Sequence, residues 1–393
     1  MARSLVTGMG CVTPLGMSVP EFETRLFAGE CGLSAVQRFP TEGLRNPLAG
    51  EIKVIPPSPA WAPTAEADTP DLRFLAAAVD EAVRAAGLDP ASDLARDVAC
   101  VLSTNFGGAA MLDAIGPSDV PPLSPLLFDT GLRMLVDGLG LRGRALVLSI
   151  SCASGTSAIG LAAEWVRSGR AEVAIAAGYD ALSLYVLAGL SILRTISTDT
   201  CRPFDRARSG TIFSEGAAAV IVESHDHAAA RGAEARAAVL GHADTNNAYH
   251  LTAPDKNGEG IRLAVERALA NAGVRPDEID YINAHGTATL YHDATEVRAI
   301  KKVLGGRARE IPVTSIKGAC GHMMGAAGAI EFIASVLAIE RGEAPPTLGL
   351  TDPDPECDLD HVPLTARRAP ISTVLTNSAG IGGGNASLVL RGV

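Results

Sequence analysis

Two spacings of apolar residues alternate along the chain. Short continuous runs rich in β-branched residues read as buried strands: Leu5 to Thr7 running into a glycine turn, Val98 to Ser103, Leu146 to Ser151 and Val173 to Ala177. Between them lie longer Ala-rich stretches with helical spacing. Phe74 to Ala86 reads as an amphipathic helix closed by Gly87, and Gly155 to Arg167 as a second helix. This alternation predicts an α/β fold whose mostly parallel sheet is covered on both faces.

Two stretches echo one another. Ala82 to Pro90 and Ala268 to Pro276 are each an Ala-rich helix end, a glycine (Gly87, Gly273) and a proline turn leading into an apolar strand, the second being Ile279 to Ile282. Two readings stay open: a duplicated half joined near Ala228 to Ala235, or a common α/β turn met twice.

Composition narrows the class. With 393 residues, 47% of them hydrophobic, the chain can fill more than one small core, and nothing in it reads as disordered. A formal net charge of -11 speaks against nucleic-acid binding, which needs a basic face. The seven cysteines are scattered without Cys-x-x-Cys spacing, which fits a reducing cytosol better than disulfides or a zinc site. No apolar run approaches the ~18 to 20 residues of a membrane span. A soluble, cytoplasmic protein is expected, with no metal, nucleic-acid or membrane partner.

Four segments can carry chemistry. In Ser149 to Gly160 a strand runs into Cys152 and a helix follows at once. On such an elbow the helix N-terminus lowers a thiol pKa and favours a nucleophilic thiolate, although a buried, inert cysteine fits the segment equally well. In Asn283 to Thr289, His285 follows a strand on a Gly-containing loop, where open α/β sheets place their sites. In Thr314 to Glu331, Lys317 and His322 precede a helix containing Glu331, and Gly318, Gly321, Gly325 and Gly328 suit close helix packing or the border of a tunnel. Asn377 to Ser387 is a glycine-rich loop that can aim backbone N–H groups at an oxyanion.

Together these segments resemble the β-ketoacyl-[acyl carrier protein] synthases of the thiolase superfamily, of the elongating type found in dissociated (type II) systems. The resemblance runs through nearly the whole chain. It includes Val6 to Gly10 with Thr13 to Gly16, Arg202 to Asp205 with Ser214 to Ala217, Asn247 to His250, and Pro353 to Asp358. It implies a thiolase fold of duplicated βαβαβ halves (1–235 and 236–393) in a five-layer αβαβα arrangement. It implies an acyltransferase in which Cys152 accepts an acyl group and His285 and His322 polarise a malonyl thioester as carbon dioxide leaves. Lys317 would support them, backed by Glu331. Thr287 and Thr289 would bind the phosphopantetheine arm, and the amides of Cys152 and Ile381 would form the oxyanion hole. No cofactor is implied beyond the phosphopantetheine of an acyl carrier protein, the expected partner. A homodimer, or a heterodimer with a chain-length-factor-like subunit, is also implied.

The resemblance separates neighbours. A starter-type synthase has Asn where His322 stands, a biosynthetic thiolase has a second cysteine in its glycine-rich motif, and a chain-length factor lacks the nucleophile. An active elongating synthase is therefore expected over a non-catalytic dimer partner.

The chain also departs from the family pattern. Ala379 and Ile381 replace two phenylalanines and Gly384 a threonine in the glycine-rich loop, the second phenylalanine being a gate in relatives. Leu290-Tyr291-His292, Ser157 and Ile212-Phe213-Ser214 are further departures, and Met111 to Asp129 looks shortened and Pro-rich. These suggest a specialised polyketide or polyene pathway rather than housekeeping fatty acid synthesis. Arg45, Arg202, Arg206 and Arg208 are candidates for docking an acidic carrier, while Thr64 to Leu72, basic in many relatives, is acidic here.

Overall fold

The computed structural model describes residues 4–62, 69–89, 97–115 and 126–393. Ten strands form its main sheet: β1 (Ser4–Val12), β2 (Ala99–Ser103), β3 (Ala145–Leu148), β4 (Val173–Asp180), β5 (Gly216–Ser224), β6 (Ala237–Asn246), β7 (Tyr281–Asn283), β8 (Val313–Thr314), β9 (Thr373–Ala379) and β10 (Gly384–Arg391). Five long helices matter to the argument: α1 (Pro70–Ala85), α2 (Ser154–Arg167), α3 (Glu259–Ala272), α4 (His292–Leu304) and α5 (Ala327–Arg341).

The strand order is β8-β7-β9-β10-β6-β1-β5-β4-β2-β3. Counted from β1, the first five strands lie in the order third, second, fourth, fifth, first, and the next five repeat it. The two sets meet where Ser4 to Val6 of β1 pair with Ala237 to Val239 of β6. α1 leads into β2 and α3 into β7, each ending at a left-handed glycine, Gly87 (φ +67°) and Gly273 (φ +65°). Pro90 lies outside the described residues.

The expected mostly parallel sheet is corrected. Only β2–β3, β2–β4, β7–β8 and β7–β9 are parallel. β1 pairs antiparallel with β5 and β6, β4 with β5, and β10 with β6 and β9. Periodicity reports that a strand is buried, and a strand buried on both faces looks alike in either direction. Three boundaries also moved. β1 continues through Gly8 and Gly10 to Val12, where the sequence suggested a glycine turn after Thr7. β3 stops at Leu148, before a left-handed Ser151 (φ +58°), and a 3₁₀ turn over Pro276–Glu278 delays β7 to Tyr281.

The layers run helix, sheet, helix, sheet, helix, as the resemblance implies. α1 packs on β1 and β5, α3 on β6 and β10, and α4 beside α3. α2 and α5 lie between the halves, touching each other and strands of both. One core joins Ile159 and Ala162 of α2, Ile330 and Ile333 of α5, Val220 of β5 and Leu388 of β10.

α2 and α5 approach closely because glycines face each other at their N-terminal ends. A Cβ on Gly155 would lie 2.8 Å from the Ala329 amide nitrogen, and one on Gly328 would collide with the Thr156 hydroxyl and amide. An alanine at 328 gains about 1 kcal/mol of helix propensity but meets backbone that cannot move aside, an overpacking cost of roughly 1–3 kcal/mol. Overpacking wins, so Gly328→Ala is expected to lower the melting temperature in calorimetry; a rise would show that this contact is loose.

Candidate active site

Cys152 sits on the elbow expected for it. β3 ends, Ser151 takes its left-handed conformation, and α2 starts at Ser154. The Ser154 hydroxyl clamps this turn, accepting from the Ile150 N–H at 2.8 Å and donating to the Ser151 carbonyl at 2.6 Å. Cys152 is buried at 7% exposure, in the wall of a cavity of about 300 Å3. Here the sequence reading needs correction, because burial pushes the thiol up to about 11. The Ser151 hydroxyl, 3.7 Å from Sγ, and the Lys317 charge pull it back only in part. Removing water from around a thiolate costs more than these neighbours return.

Three histidines line the same cavity, and two of them, His285 and His322, face each other. His285 follows β7; its N–H and that of Gly286 donate to the two oxygens of Glu296, at 2.8 and 2.9 Å. His322 is held by backbone, donating to the Ile212 carbonyl at 2.8 Å and accepting from the Ser214 N–H at 2.9 Å, with Phe213 stacked on its ring. The two imidazoles stand edge to face, 5.4 Å between centroids.

Lys317 organises them from behind the cavity wall. Its ammonium is buried, pairs with Glu331, donates to the His285 carbonyl at 2.6 Å and lies 3.5 Å from His285 Nδ1. An ammonium only donates, so Nδ1 accepts and the ring proton sits on Nε2. His322 reaches the same tautomer because its Nδ1 accepts from the Met324 N–H at 3.3 Å. Burial, then the Lys317 charge, holds both histidines well below their ordinary range. Both are neutral N–H donors, and a carbonyl oxygen between them would be polarised without a proton being transferred.

The glycine-rich loop closes over the elbow. A Cβ on Gly380 would lie 2.8 Å from Ser151 Cβ and 3.0 Å from the Cys152 nitrogen. Around it the amides of Gly380, Gly382 and Gly383 donate to carbonyls of Gly384, Leu251 and Gly380. Among the described residues the amides of Cys152 and Ile381 donate to no other group. Thr287 and Thr289 also line the cavity, their hydroxyls 3.1 Å apart, and Glu331 accepts from Ser378 at 3.1 Å beside its pair with Lys317.

Every site residue expected from sequence thus lies in this cavity or directly behind it. Two were missed. His292 and Glu296 stand one turn apart on α4, and both belong to the site. His292 lines the cavity with its ring centroid 4.9 Å from that of His285, whereas in the sequence it reads only as a departure from a motif. The His-x-x-x-Glu spacing at a helix start, just after His285, was the available signal.

The arginine candidates fare less well. Arg208 is buried and bound to Asp354, so it cannot receive a partner; Arg202 pairs with Asp199, and Arg206 with Asp352 at 3.3 Å. Arg45 is exposed and donates to the Ile196 carbonyl. Residues 63–68, in the acidic stretch, and 116–125, in the Pro-rich stretch, lie outside the described residues.

A thiol at about 11 loses its proton only in strong base. Alkylation of Cys152 by iodoacetamide is therefore expected to rise about tenfold per pH unit from pH 7 to 9, without a plateau. Peptide mass spectrometry reads this directly, and a plateau near pH 8 would contradict the burial argument.

Comparison with known proteins agrees with this geometry. The β-ketoacyl synthase N-terminal domain matches residues 2–228 and its C-terminal domain residues 236–351. A 3-oxoacyl-[acyl-carrier-protein] synthase 2 from Coxiella burnetii is 35% identical, over 100% of this chain and 99% of that protein. A putative polyketide β-ketoacyl synthase 1 from Streptomyces cyaneus is 36% identical, over 99% and 98%. Among solved structures, a chain of the ishigamide ketosynthase/chain length factor superposes with a TM-score of 0.92 at 33% identity, covering 100% of this chain and 99% of that one. The chain belongs to the β-ketoacyl synthase family, acyltransferases with the thiolase fold.

Proposed function

We propose that this chain is a working elongating synthase that condenses an acyl group on Cys152 with a malonyl group on an acyl carrier protein. The observation that carries the reading is one cavity holding a cysteine and, among its three imidazoles, two fixed as neutral Nε2–H donors. In the first half-reaction Cys152 Sγ attacks the acyl thioester and the carrier's thiol departs. The amides of Cys152 and Ile381 then hold the oxyanion. In the second, the bond to the malonyl carboxyl breaks, its electrons pass into an enolate, and His285 and His322 donate to the enolate oxygen. Carbon dioxide departs, the enolate carbon attacks the acyl carbon and Cys152 leaves as thiolate, then takes from solvent the one proton that the turnover consumes. Lys317, anchored by Glu331, sets the tautomer of His285. Thr287 and Thr289 receive the pantetheine arm. Nothing in this scheme calls for a cofactor beyond that arm.

Location and assembly follow the same reading. The family's carriers and substrates belong to the cytosol, and no described helix is long and apolar enough to cross a membrane. β3 is the outer strand of the sheet, and Leu146, Val147 and Leu148 on it, with Ile150 just beyond its end, are partly or fully exposed. An apolar edge so close to Cys152 supports a dimer through β3, with a second copy or a chain-length-factor-like subunit. The restart of the strand order at Ala237 supports two halves, 1–235 and 236–393.

We read the acyl group as specialised. Ala379 and Ile381 line the cavity where the family carries phenylalanines, so the gate is aliphatic and the space beside the thiol is wider. Loading a panel of acyl carriers and weighing the acyl-Cys152 adduct tests this. Preference for polar or unsaturated chains is expected, and preference for plain saturated chains would overturn it.

Cys152→Ala is expected to abolish condensation, while Cys152→Gln keeps decarboxylating malonyl-carrier because the histidine donors remain. Lys317→Ala should lower that decarboxylation by about 10²–10³-fold, since it frees the His285 tautomer and leaves Glu331 buried and unpaired. Release of carbon dioxide from labelled malonyl-carrier measures both; a Lys317→Ala rate near wild type would contradict the assigned role.

A further inference from the structure

His292 is the one imidazole in the cavity that this scheme leaves without a task. His285 and His322 are committed donors: each has Nδ1 occupied by an N–H donor and its proton on Nε2. Accepting a further proton would require either ring to break that arrangement. Yet the acyl-transfer half-reaction must move a proton. Cys152 begins as a thiol and ends as a thioester, while the carrier's sulfur begins as a thioester and leaves as a thiol.

His292 has the features of the missing carrier. It lines the same cavity as Cys152, and its place in the chain is between Thr289 and the body of α4. Both ring nitrogens are enclosed and make no hydrogen bond. Behind it, 3.8 Å from Nδ1, lies an oxygen of Glu296, whose carboxyl already receives the amides of His285 and Gly286. A histidine backed by a fixed carboxylate can take a proton on one nitrogen while the carboxylate steadies the imidazolium.

We propose that His292, steadied by Glu296, carries the proton from Cys152 to the departing pantetheine sulfur during acyl transfer. The S–H bond of Cys152 breaks as its sulfur bonds the acyl carbon, and the proton passes to the free nitrogen of His292. The carbon–sulfur bond to the carrier then breaks and its sulfur takes that proton, leaving His292 neutral again. No oxidant or further reactant is needed. Burial, then the Lys317 charge, holds His292 low at about 4, while burial raises Glu296 to about 7. A free imidazolium is therefore not stored, and proton transfer accompanies bond formation. The other charged groups near this pair are Lys317 and Asp293, the latter bound to the Phe204 amide.

This rests on the synthase reading, and the experiment separates the two. Acyl-Cys152 formation from an acyl carrier is followed by quench and intact mass for wild type and His292→Asn. Carbon dioxide release from malonyl-carrier is followed in Cys152→Gln with and without the same change. The expected result is a fall on the order of 10²-fold in acylation relative to decarboxylation, the scale of general acid–base catalysis. His292→Gln, with a longer neutral side chain, should repeat it, and thermal melts identify any variant that is merely unfolded. An unchanged ratio, or two rates falling together, overturns the shuttle while wild-type acylation leaves the synthase intact. A wild type that never acylates overturns the synthase reading itself.

Discussion

The site depends on one buried cation. The Lys317 ammonium has left water entirely, and Glu331, the His285 carbonyl and His285 Nδ1 replace its hydration. Such a pair adds little to stability by itself, but removing one member strands the other charge, at a cost of about 3–5 kcal/mol. Its value lies in direction. A fixed donor behind His285 chooses the tautomer, and burial, reinforced by that fixed positive charge, keeps both active-site histidines neutral.

The same enclosure sets the character of several titratable groups in and behind the cavity. Burial drives the Cys152 thiol up, the histidines down, and Glu296 and Asp180 up to about 7. The reacting groups themselves, Cys152, His285 and His322, are uncharged at rest. Charge appears only when a thiolate or enolate forms, and it meets N–H groups already in place rather than water. The close approach of α2 and α5 makes this possible, because it brings the cysteine's helix of one half against the helix that carries Glu331 in the other.

Much of this was legible in the sequence. The elbow at Cys152, the loop of His285 and the turn of Lys317 and His322 are local patterns, with residue type and position both set by a few neighbours. What failed was non-local. Strand direction is decided by how segments meet, so the antiparallel middle of the sheet left no trace in the periodicity. Arg208 read as a free surface charge because nothing nearby in sequence announces Asp354.

The sequence by itself determined which groups the site would contain and on what kind of turn each would sit, because motif, turn chemistry and helix start are short-range. Only the tertiary structure decided their state. It placed Cys152 out of water and so reversed the expected shift of its thiol, and it put His292 beside His285 with Glu296 behind. Protonation depends on what surrounds a group in space, and for Cys152 those surroundings include Lys317, more than a hundred residues away in the chain.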